Sequence, residues 1–589
     1  MSPPRAKAPP WLEWGLLGLL VVLFLGLASR QLERPGLFWD EGDAAAYGME
    51  IALDLPPTWT DWSVALAGRT WPLRVRHPYD FVALPIYWSA LAFKAGGVGV
   101  AVLRWSALLI GAAVLIALYA LSRLWLGPEA AFAACLLLAV DPAFALTSRL
   151  AYWAVEFFLL PPALTALVFF SLWHRRRRAW ALCAGAFCWG LTTSMTTKAV
   201  AFLIAYPVLY LLLVPRKDRP SPRMTAAAAA CAALGAADFI AYNAARGMPT
   251  FKRLLGALAA PTAGGVDNFA VARNLAVRGR QVLDLLGGTV AVTADGGVSR
   301  GNVLLILFAA AFAAMIWRCA SRRPFRGRGF ILLVLGLIAL LFLETAFTPM
   351  GLDSQHLLIL LPFAVLPVAA ALDWLRTEVE RRMPGKGTLA AAALLALPVV
   401  SALRADASYF SRLKSTGGEG ELSDSIYDLA GYLDRSGILR PVALTHEVSR
   451  NVYLITAGRV KPLTGHAWSK GITPPLLEAY AALASDPAAR FIGQPSDEPG
   501  DPFSMYLEAF RGVVEKSGRR LAIEKEFADS RGRTMYFVWR VEERSQRTTA
   551  VKHALHVEGP SRRPVIHSEA PAGEKPDARS DSSTSSRNQ

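Results

Sequence analysis

The sequence predicts a polytopic α-helical membrane protein with about eleven transmembrane helices, a small C-terminal α/β extracytoplasmic domain and a disordered tail. Of the 589 residues 53% are hydrophobic, and the mean hydropathy of +0.34 is high for a soluble enzyme. Apolar runs of about 20 residues, long enough to cross a bilayer, recur through the first two-thirds of the chain. Short basic clusters between these runs account for much of the net charge of +16, which indicates cytoplasmic loops and no nucleic-acid partner.

We expect residues 1–404 to form the transmembrane domain. Its first apolar run is interpreted as an uncleaved span, because no convincing small-residue cleavage site precedes Arg30. The apolar runs begin close to Trp11, Val98, Ala130, Ala151, Ala179, Ala199, Thr225, Gly301, Phe330, Leu357 and Thr388.

The positions of Lys and Arg predict the orientation of these spans. An odd number of spans places all four basic clusters on the cytoplasmic side, together with the N-terminus. The same count places residues 30–97, 244–300 and everything after 404 outside, in a multi-pass protein of the inner (plasma) membrane. The basic clusters lie at residues 175–178, 216–223, 318–328 and 376–386.

The chain becomes less hydrophobic after residue 404, and residues 405–542 are predicted to form the α/β domain. Amphipathic spacing predicts helices at 423–436 and 474–484, and short apolar runs predict strands. From residue 543 to 589 the chain is rich in Ser, Pro and charge, which predicts disorder. The predicted strands are 441–444, 490–492 and 535–539.

Three carboxylates, Asp40, Glu41 and Asp43, follow the first apolar run at the expected membrane boundary. If residues 40–53 form a helix, Asp40, Asp43 and Tyr47 share one face and Glu41 points about 100° away. One carboxylate can then act as a general base while a neighbour orients it. The alternative is a solvated loop or a helix N-terminal cap.

A basic and aromatic segment follows at residues 74–81, with the sequence Arg-Val-Arg-His-Pro-Tyr-Asp-Phe. Its cations Arg76 and His77 could hold an anionic phosphate near the carboxylates, with Asp80 beside them. The alternative is an interfacial segment that touches lipid headgroups.

These features resemble the GT-C superfamily of membrane glycosyltransferases, and more narrowly its protein O-mannosyltransferase and aminoarabinose-transferase branch. The resemblance lies in the adjacent acids Asp40 and Glu41 after the first span, and in an outer loop with His77 before a proline. Two departures are that Tyr47 stands further from the acidic pair, and that Tyr79 replaces the second proline. Further similarities are Asp141-Pro142, Ser148-Arg149, Glu156 and Gln355-His356.

The resemblance implies transfer of a sugar, with inversion, from a polyprenyl-phosphate donor to a lipid, glycan or protein acceptor at the outer face. It favours Asp40 as the base with Glu41 as support, and Asp43 is the alternative. Arg76 and His77 are the best candidates for binding the donor phosphate, and Arg149 is a weaker one. No metal is expected to be required, although His77, His356 and the acids leave a divalent cation possible. Other candidate site residues are Tyr47, Asp80, Glu156 and His356.

Two interpretations from other classes remain open. Charged residues in or near spans suit a transporter or flippase of lipids or solutes, although no paired repeats with broken helices are evident. A non-catalytic scaffold whose outer domain binds a partner is the third interpretation. Replacing Asp40 separates the classes, because a transferase loses turnover and a scaffold loses nothing. The charged residues in or near spans that would suit a transporter are Arg104, Asp141, Glu156 and Lys198.

The predicted orientation can be tested with reporter fusions. A reporter after Lys386 should lie in the cytoplasm and one after Ser436 outside it, because one span separates them. Alkaline phosphatase and green fluorescent protein fusions measure the two locations. The same location for both fusions contradicts the orientation.

Overall fold

The structure is a computed structural model, and it describes part of the chain. The described residues are 9–58, 62–74, 83–150, 152, 155–196, 199–259, 267–287, 303–321, 325, 327–347, 354–418, 420–445, 448–465, 472–495 and 504–544. Residues Met1–Glu542 form one compact unit and Glu543–Gln589 a second. The predicted disordered tail therefore lies outside the described residues, apart from its first two.

The first part of the chain is almost entirely helical, and a helix is present at each predicted apolar run. Short 3-10 helices at Val155–Leu159 and Ser354–Leu360 each lead into a longer helix. The α-helices are Pro10–Ala28, Trp39–Ala52, Ala83–Gly96, Val100–Trp125, Pro128–Ala139, Pro142–Arg149, Leu160–Arg176, Ala179–Leu191, Ala199–Leu213, Pro222–Gly235, Ala237–Ala245, Pro249–Ala259, Val271–Leu286, Val303–Ala320, Arg328–Glu344, Leu361–Arg382 and Gly387–Thr416.

Five of the described helices are long and apolar enough to cross a membrane, and up to seven spans result if each of two bent pairs counts as one. Pro128–Ala139 and Pro142–Arg149 meet at 62°, and Pro222–Gly235 and Ala237–Ala245 meet at 72°. Some predicted spans are short: Ala179–Leu191 has 13 residues, or about 20 Å of helix, against the roughly 30 Å of a bilayer core. The count of about eleven therefore stays a prediction.

A five-stranded sheet dominates the chain after residue 417. The two strands earlier in the described chain are β1 (Trp62–Leu66) and β2 (Arg69–Arg74), and those of this sheet are β3 (Val442–Ala443), β4 (Leu463–Thr464), β5 (Phe491–Gly493), β6 (Arg519–Ala528) and β7 (Thr534–Glu543). The strand order of the sheet is β4-β3-β5-β7-β6, in which β3 runs parallel to β4 and β5, and β5 runs antiparallel to β7. The accompanying helices are Ser425–Arg435, Val448–Ile455, Pro474–Ser485 and Ser504–Lys516.

Helices pack on both faces of this sheet. Successive strand residues point to opposite sides, so neighbours in sequence belong to different apolar clusters. Ala443 and Ile492 pack with Leu429 and Val452 in one apolar cluster. Val442 and Phe491, their neighbours in sequence, belong to a second cluster with helices Pro474–Ser485 and Ser504–Lys516. The described residues thus combine a sheet with helices on both sides, and a separate α/β domain with the bounds 405–542 stays a prediction.

Two apolar helices in the first part of the chain approach so closely that glycine is required where they touch. A Cβ atom on Gly190 would lie 2.0 Å from the carbonyl oxygen of Ala232, and one on Gly235 would lie 2.1 Å from that of Phe187. Small residues permit such close packing in membranes, where no hydrophobic effect drives helices together. This contact fixes Ala179–Leu191 against Pro222–Gly235.

Replacing Gly235 by Val should separate these two helices, because the added atoms overlap a main-chain oxygen. Overpacking of this kind costs about 1–3 kcal/mol, so the apparent melting temperature in detergent should fall. The matched control is Gly15→Val, because a Cβ atom at Gly15 meets nothing within 4 Å. Equal melting temperatures for the two variants would contradict the close approach.

Candidate active site

The predicted carboxylates lie on a helix, Trp39–Ala52, which we call the acidic helix. The helix begins after Phe38, whose amide donates to the Glu41 carboxylate at 3.3 Å, as in a capping box. The helix supposed for residues 40–53 is thus present, and the spacing of three places Asp40 and Asp43 on one face.

Glu41 forms a fully buried ion pair with Arg104 of the helix Val100–Trp125. Arg104 Nε lies 3.1 Å from Glu41 Oε1, Nη2 lies 2.9 Å from Oε2, and both side chains are 0% exposed. The guanidinium also donates to main-chain oxygens at distances of 2.7–3.1 Å. These oxygens belong to Leu32, Pro35 and Gly36. Glu41 therefore fixes the start of the acidic helix from the interior, and its expected support of a base stays a prediction.

Arg149, at the end of the helix Pro142–Arg149, supports the turn at residues 30–36, whose oxygens Arg104 also contacts. Its Nη1 donates to the carbonyl oxygen of Arg30 at 2.7 Å, and its Nη2 donates to those of Gln31 and Arg34. The guanidinium carbon lies 5.5 Å from the ring centre of Phe410, and the residue is 0% exposed. Arg149 thus holds the turn from inside, and its expected contact with a donor phosphate stays a prediction.

Asp43 pairs with an arginine from the sequence-distant helix Val448–Ile455, which we call the cover helix. Arg450 Nε lies 3.1 Å from Asp43 Oδ1, and the two side chains are 17% and 10% exposed. The guanidinium carbon lies 5.3 Å from the ring centre of Tyr47, and Nη1 donates to Thr58 Oγ1 at 3.1 Å. Sequence reasoning missed Arg450, because nothing in its local sequence distinguishes it from a solvated surface arginine.

Glu50, which is 1% exposed, extends this polar network along the acidic helix. Thr58 donates to the Glu50 carboxylate with its hydroxyl at 2.6 Å and with its amide at 3.0 Å. Burial, together with the nearby Glu50 charge, raises the pKa of Tyr453 on the cover helix to about 12. Tyr453 therefore keeps its proton at neutral pH.

Asp40 is the carboxylate of the three that remains partly exposed, whereas Glu41 and Asp43 are 0% and 7% exposed. It occupies the second position of the acidic helix, where the helix dipole favours a negative charge. Asp40 is thus the member of the acidic cluster that an incoming polar group can reach.

A cleft of about 310 Å³ follows the acidic helix beyond Asp43. Its opposite wall includes β2 (Arg69–Arg74), which pairs antiparallel with β1 (Trp62–Leu66). Burial raises the pKa of Tyr87 in this wall to about 12, and its hydroxyl donates to Pro72 at 2.9 Å. Aromatic rings and charges together suit a polar, hydroxylated ligand. The residues that line the cleft include Tyr47, Glu50, Asp54, Arg69, Trp71 and Lys94.

Several predicted site residues fall outside the described part of the chain. Arg76, His77 and Asp80 are among them, and so is the side chain of Glu156. His356 is partly buried in the 3-10 helix Ser354–Leu360, which packs against the 3-10 helix that contains Glu156. Within the described residues, no group of three or more His, Cys, Asp or Glu side chains is arranged to hold a metal ion.

Two of the charged residues that would suit a transporter have structural partners instead. Arg104 pairs with Glu41, and Asp141 accepts the amide of Phe144 at 3.1 Å and so caps the helix Pro142–Arg149. Lys198 lies outside the described residues. The buried charges at Arg104 and Asp141 therefore need no transported ligand to explain them.

Comparison with known proteins connects this arrangement to one superfamily. Residues 77–242 match the family model described as dolichyl-phosphate-mannose-protein mannosyltransferase, which covers less than half of the chain. No curated protein matches the chain in sequence. The structure matches ArnT from Cupriavidus metallidurans bound to undecaprenyl phosphate, with a TM-score of 0.58 and 13% identity over 90% of this chain and 98% of that one. The chain has the GT-C fold.

A second match is the archaeal oligosaccharyltransferase AglB from Archaeoglobus fulgidus, in complex with an inhibitory peptide and a dolichol-phosphate. It has a TM-score of 0.50 and 13% identity, and covers 89% of this chain and 74% of that one. The family match and the fold confirm the resemblance to GT-C glycosyltransferases of the ArnT and protein-mannosyltransferase type. At these identities the solved structures establish the fold, and the roles of individual residues rest on the geometry above.

Removing one partner of the buried ion pair should destabilise this GT-C fold strongly. The variant Arg104→Met leaves Glu41 and three carbonyl oxygens without their donor, which should cost about 3–5 kcal/mol. Unfolding of the purified protein in mixed detergent measures the loss. The control Arg381→Met removes an exposed arginine that pairs with Glu378, where a much smaller loss is expected because water screens the pair. Equal losses of unfolding free energy would show that the buried pair at Arg104 contributes no more than an exposed pair.

Proposed function

We propose that the chain is a membrane glycosyltransferase that moves a sugar from a polyprenyl-phosphate donor to an acceptor hydroxyl outside the cytoplasm. The observation that carries this proposal is the acidic helix, which leaves Asp40 partly exposed while Arg104 and Arg450 occupy Glu41 and Asp43. The fold supports it, because glycosyltransferases share the GT-C fold. No observation favours a transporter or a scaffold.

Asp40 serves as the general base of the proposed reaction. The acceptor hydroxyl gives its proton to the Asp40 carboxylate while its oxygen forms a bond to the anomeric carbon of the sugar. The bond between that carbon and the donor phosphate oxygen breaks on the opposite face, so the configuration inverts. Polyprenyl phosphate leaves with the electron pair, and the proton passes from Asp40 to water.

The proposed donor matches the lipids of the similar structures, in which ArnT is bound to undecaprenyl phosphate and AglB to a dolichol-phosphate. Charge that develops on the leaving phosphate requires fixed cations. Arg76 and His77 remain the proposed cations, since Arg149 is committed to main-chain oxygens. The proposed chemistry requires no metal ion.

The cleft beside the acidic helix is the proposed entry for the acceptor. It begins at Tyr47, one turn after Asp43, so a ligand there can extend an oxygen toward the exposed end of the helix. Its aromatic and charged lining suits a lipid headgroup, a glycan or a protein side chain with hydroxyl groups. The proposal places the cleft and the C-terminal domain on the outer side.

Replacing Asp40 by Asn tests the proposed base. The substitution keeps the shape and removes the charge, so turnover should fall by about 10²–10⁴-fold while donor binding and thermal stability remain unchanged. The measurement is sugar transfer in proteoliposomes from a radiolabelled polyprenyl-phosphate sugar pool, with products identified by mass spectrometry.

The matched control for this test is Glu33→Gln, which changes an exposed carboxylate in the turn before the acidic helix. Its turnover should equal that of the unmodified protein. An Asp40→Asn variant with full turnover would show that Asp40 is not the base, and Asp43→Asn would then be tested in the same assay. No transfer by the unmodified protein would contradict the proposed function.

A further inference from the structure

The cover helix is fitted against the acidic helix by more than one contact. The Asn451 side chain donates from Nδ2 to the carbonyl oxygen of Leu37 at 2.7 Å, just before the acidic helix begins. A Cβ atom on Gly42 would lie 2.0 Å from Asn451 Oδ1 and 3.2 Å from the Asn451 main-chain nitrogen, so the two helices approach closely at this glycine. The C-terminal domain therefore forms one wall of the site.

Arg450 is placed by this fit at the centre of the charged face of the acidic helix. It contacts Asp43, the ring of Tyr47 and the hydroxyl of Thr58, which is bonded in turn to Glu50. Three partners of different chemistry hold one guanidinium, which suits its fixed fork of donors. The position of Arg450 is thus determined by the folded site.

Other charged groups of the acidic helix also have partners among the described residues. Glu41 is paired with Arg104, and Glu50 accepts from Thr58. The cover helix presents Tyr453, which stays protonated. The helix Ala83–Gly96, which also packs on the acidic helix, carries Tyr87 and Lys94 at the cleft beyond Asp43.

We propose that Arg450 is a positioning residue of the glycosyltransferase site, which neutralises Asp43 and thereby keeps the neighbouring Asp40 ionised as the base. The proposal rests on the proposed function. Asp40 and Asp43 are three residues apart on a helix, so their Cβ atoms lie about 5–6 Å apart. An unpaired carboxylate at that distance disfavours ionisation of its neighbour, and a cation favours it.

The proposal predicts opposite effects for the two partners of the ion pair. Arg450→Gln removes a cation close to Asp40, so the acidic limb of kcat/KM against pH should move up by about 0.5–1 pH unit. Asp43→Asn removes an anion close to Asp40, so the limb should move down by a similar amount. The double variant carries neither charge, and its limb should return to that of the unmodified protein.

The experiment measures kcat/KM from pH 4 to 9 for the full-length variants in proteoliposomes at low ionic strength, where charge effects are screened least. Arg450→Lys keeps the charge and should keep the wild-type acidic limb. The matched control is Arg520→Gln, which removes an exposed arginine of the same domain that pairs with Glu542 at 2.9 Å. Its pH profile should remain unchanged.

A lower rate for Arg450→Gln with an unmoved acidic limb would overturn the proposal, since a merely structural contact gives that result. If Arg450→Gln fails to fold, Asp43→Asn decides alone, and an unmoved limb in that variant overturns the proposal.

If the unmodified protein transfers no sugar, the proposed function fails, and a pH titration of the Asp40 carboxyl carbon by NMR tests Arg450 separately. A higher Asp40 pKa in Arg450→Gln than in Arg450→Lys then supports the positioning role, and equal pKa values contradict it.

Discussion

Two buried arginines hold the turn that joins the first helix to the acidic helix, and the geometry of the site depends on them. The turn has carbonyl oxygens that no helix or strand satisfies, and buried main-chain groups of this kind require partners. Arg104 and Arg149 supply the donors from two different helices, and Glu41 balances the charge of Arg104. Because Asp40 is the second residue of the helix that follows this turn, its position depends on the two arginines.

The same constraint separates the roles of three neighbouring carboxylates. Glu41 points into the protein and pairs with Arg104, whereas Asp43 turns toward Arg450 on the cover helix. Asp40 keeps part of its surface exposed. One short acidic segment therefore provides a buried ion pair, a contact with the C-terminal region and a carboxylate at the open site. The 100° rotation between successive helical residues makes this division possible.

Local patterns in the sequence predicted the features that depend on neighbouring residues, namely helices and the faces of helices. Apolar runs identified the helices, and the spacing of the acids placed Asp40 and Asp43 on one helical face. The pairing of Asp43 with Arg450 could not be predicted, because it depends on how a distant α/β domain packs. Arg104 did stand out as a lone charge in an apolar run, yet its partner Glu41 was visible only in three dimensions. The contacts of Arg149 could not be predicted for the same reason, since its partners are main-chain oxygens.

Contacts between the turn after the first helix and the region that begins near residue 420 also restrict the path of the chain through a membrane. The loop before the acidic helix touches the C-terminal region directly: Arg34 Nε lies 3.2 Å from Asp424 Oδ2, and the Tyr427 hydroxyl donates to the carbonyl oxygen of Glu33 at 2.7 Å. Polar groups in such contacts must share one aqueous side, because a hydrocarbon core separates the two sides. The eleven spans expected from the sequence meet this condition if the helix Pro10–Ala28 crosses once, because they leave an even number of crossings between residues 38 and 417. The number of spans itself stays a prediction.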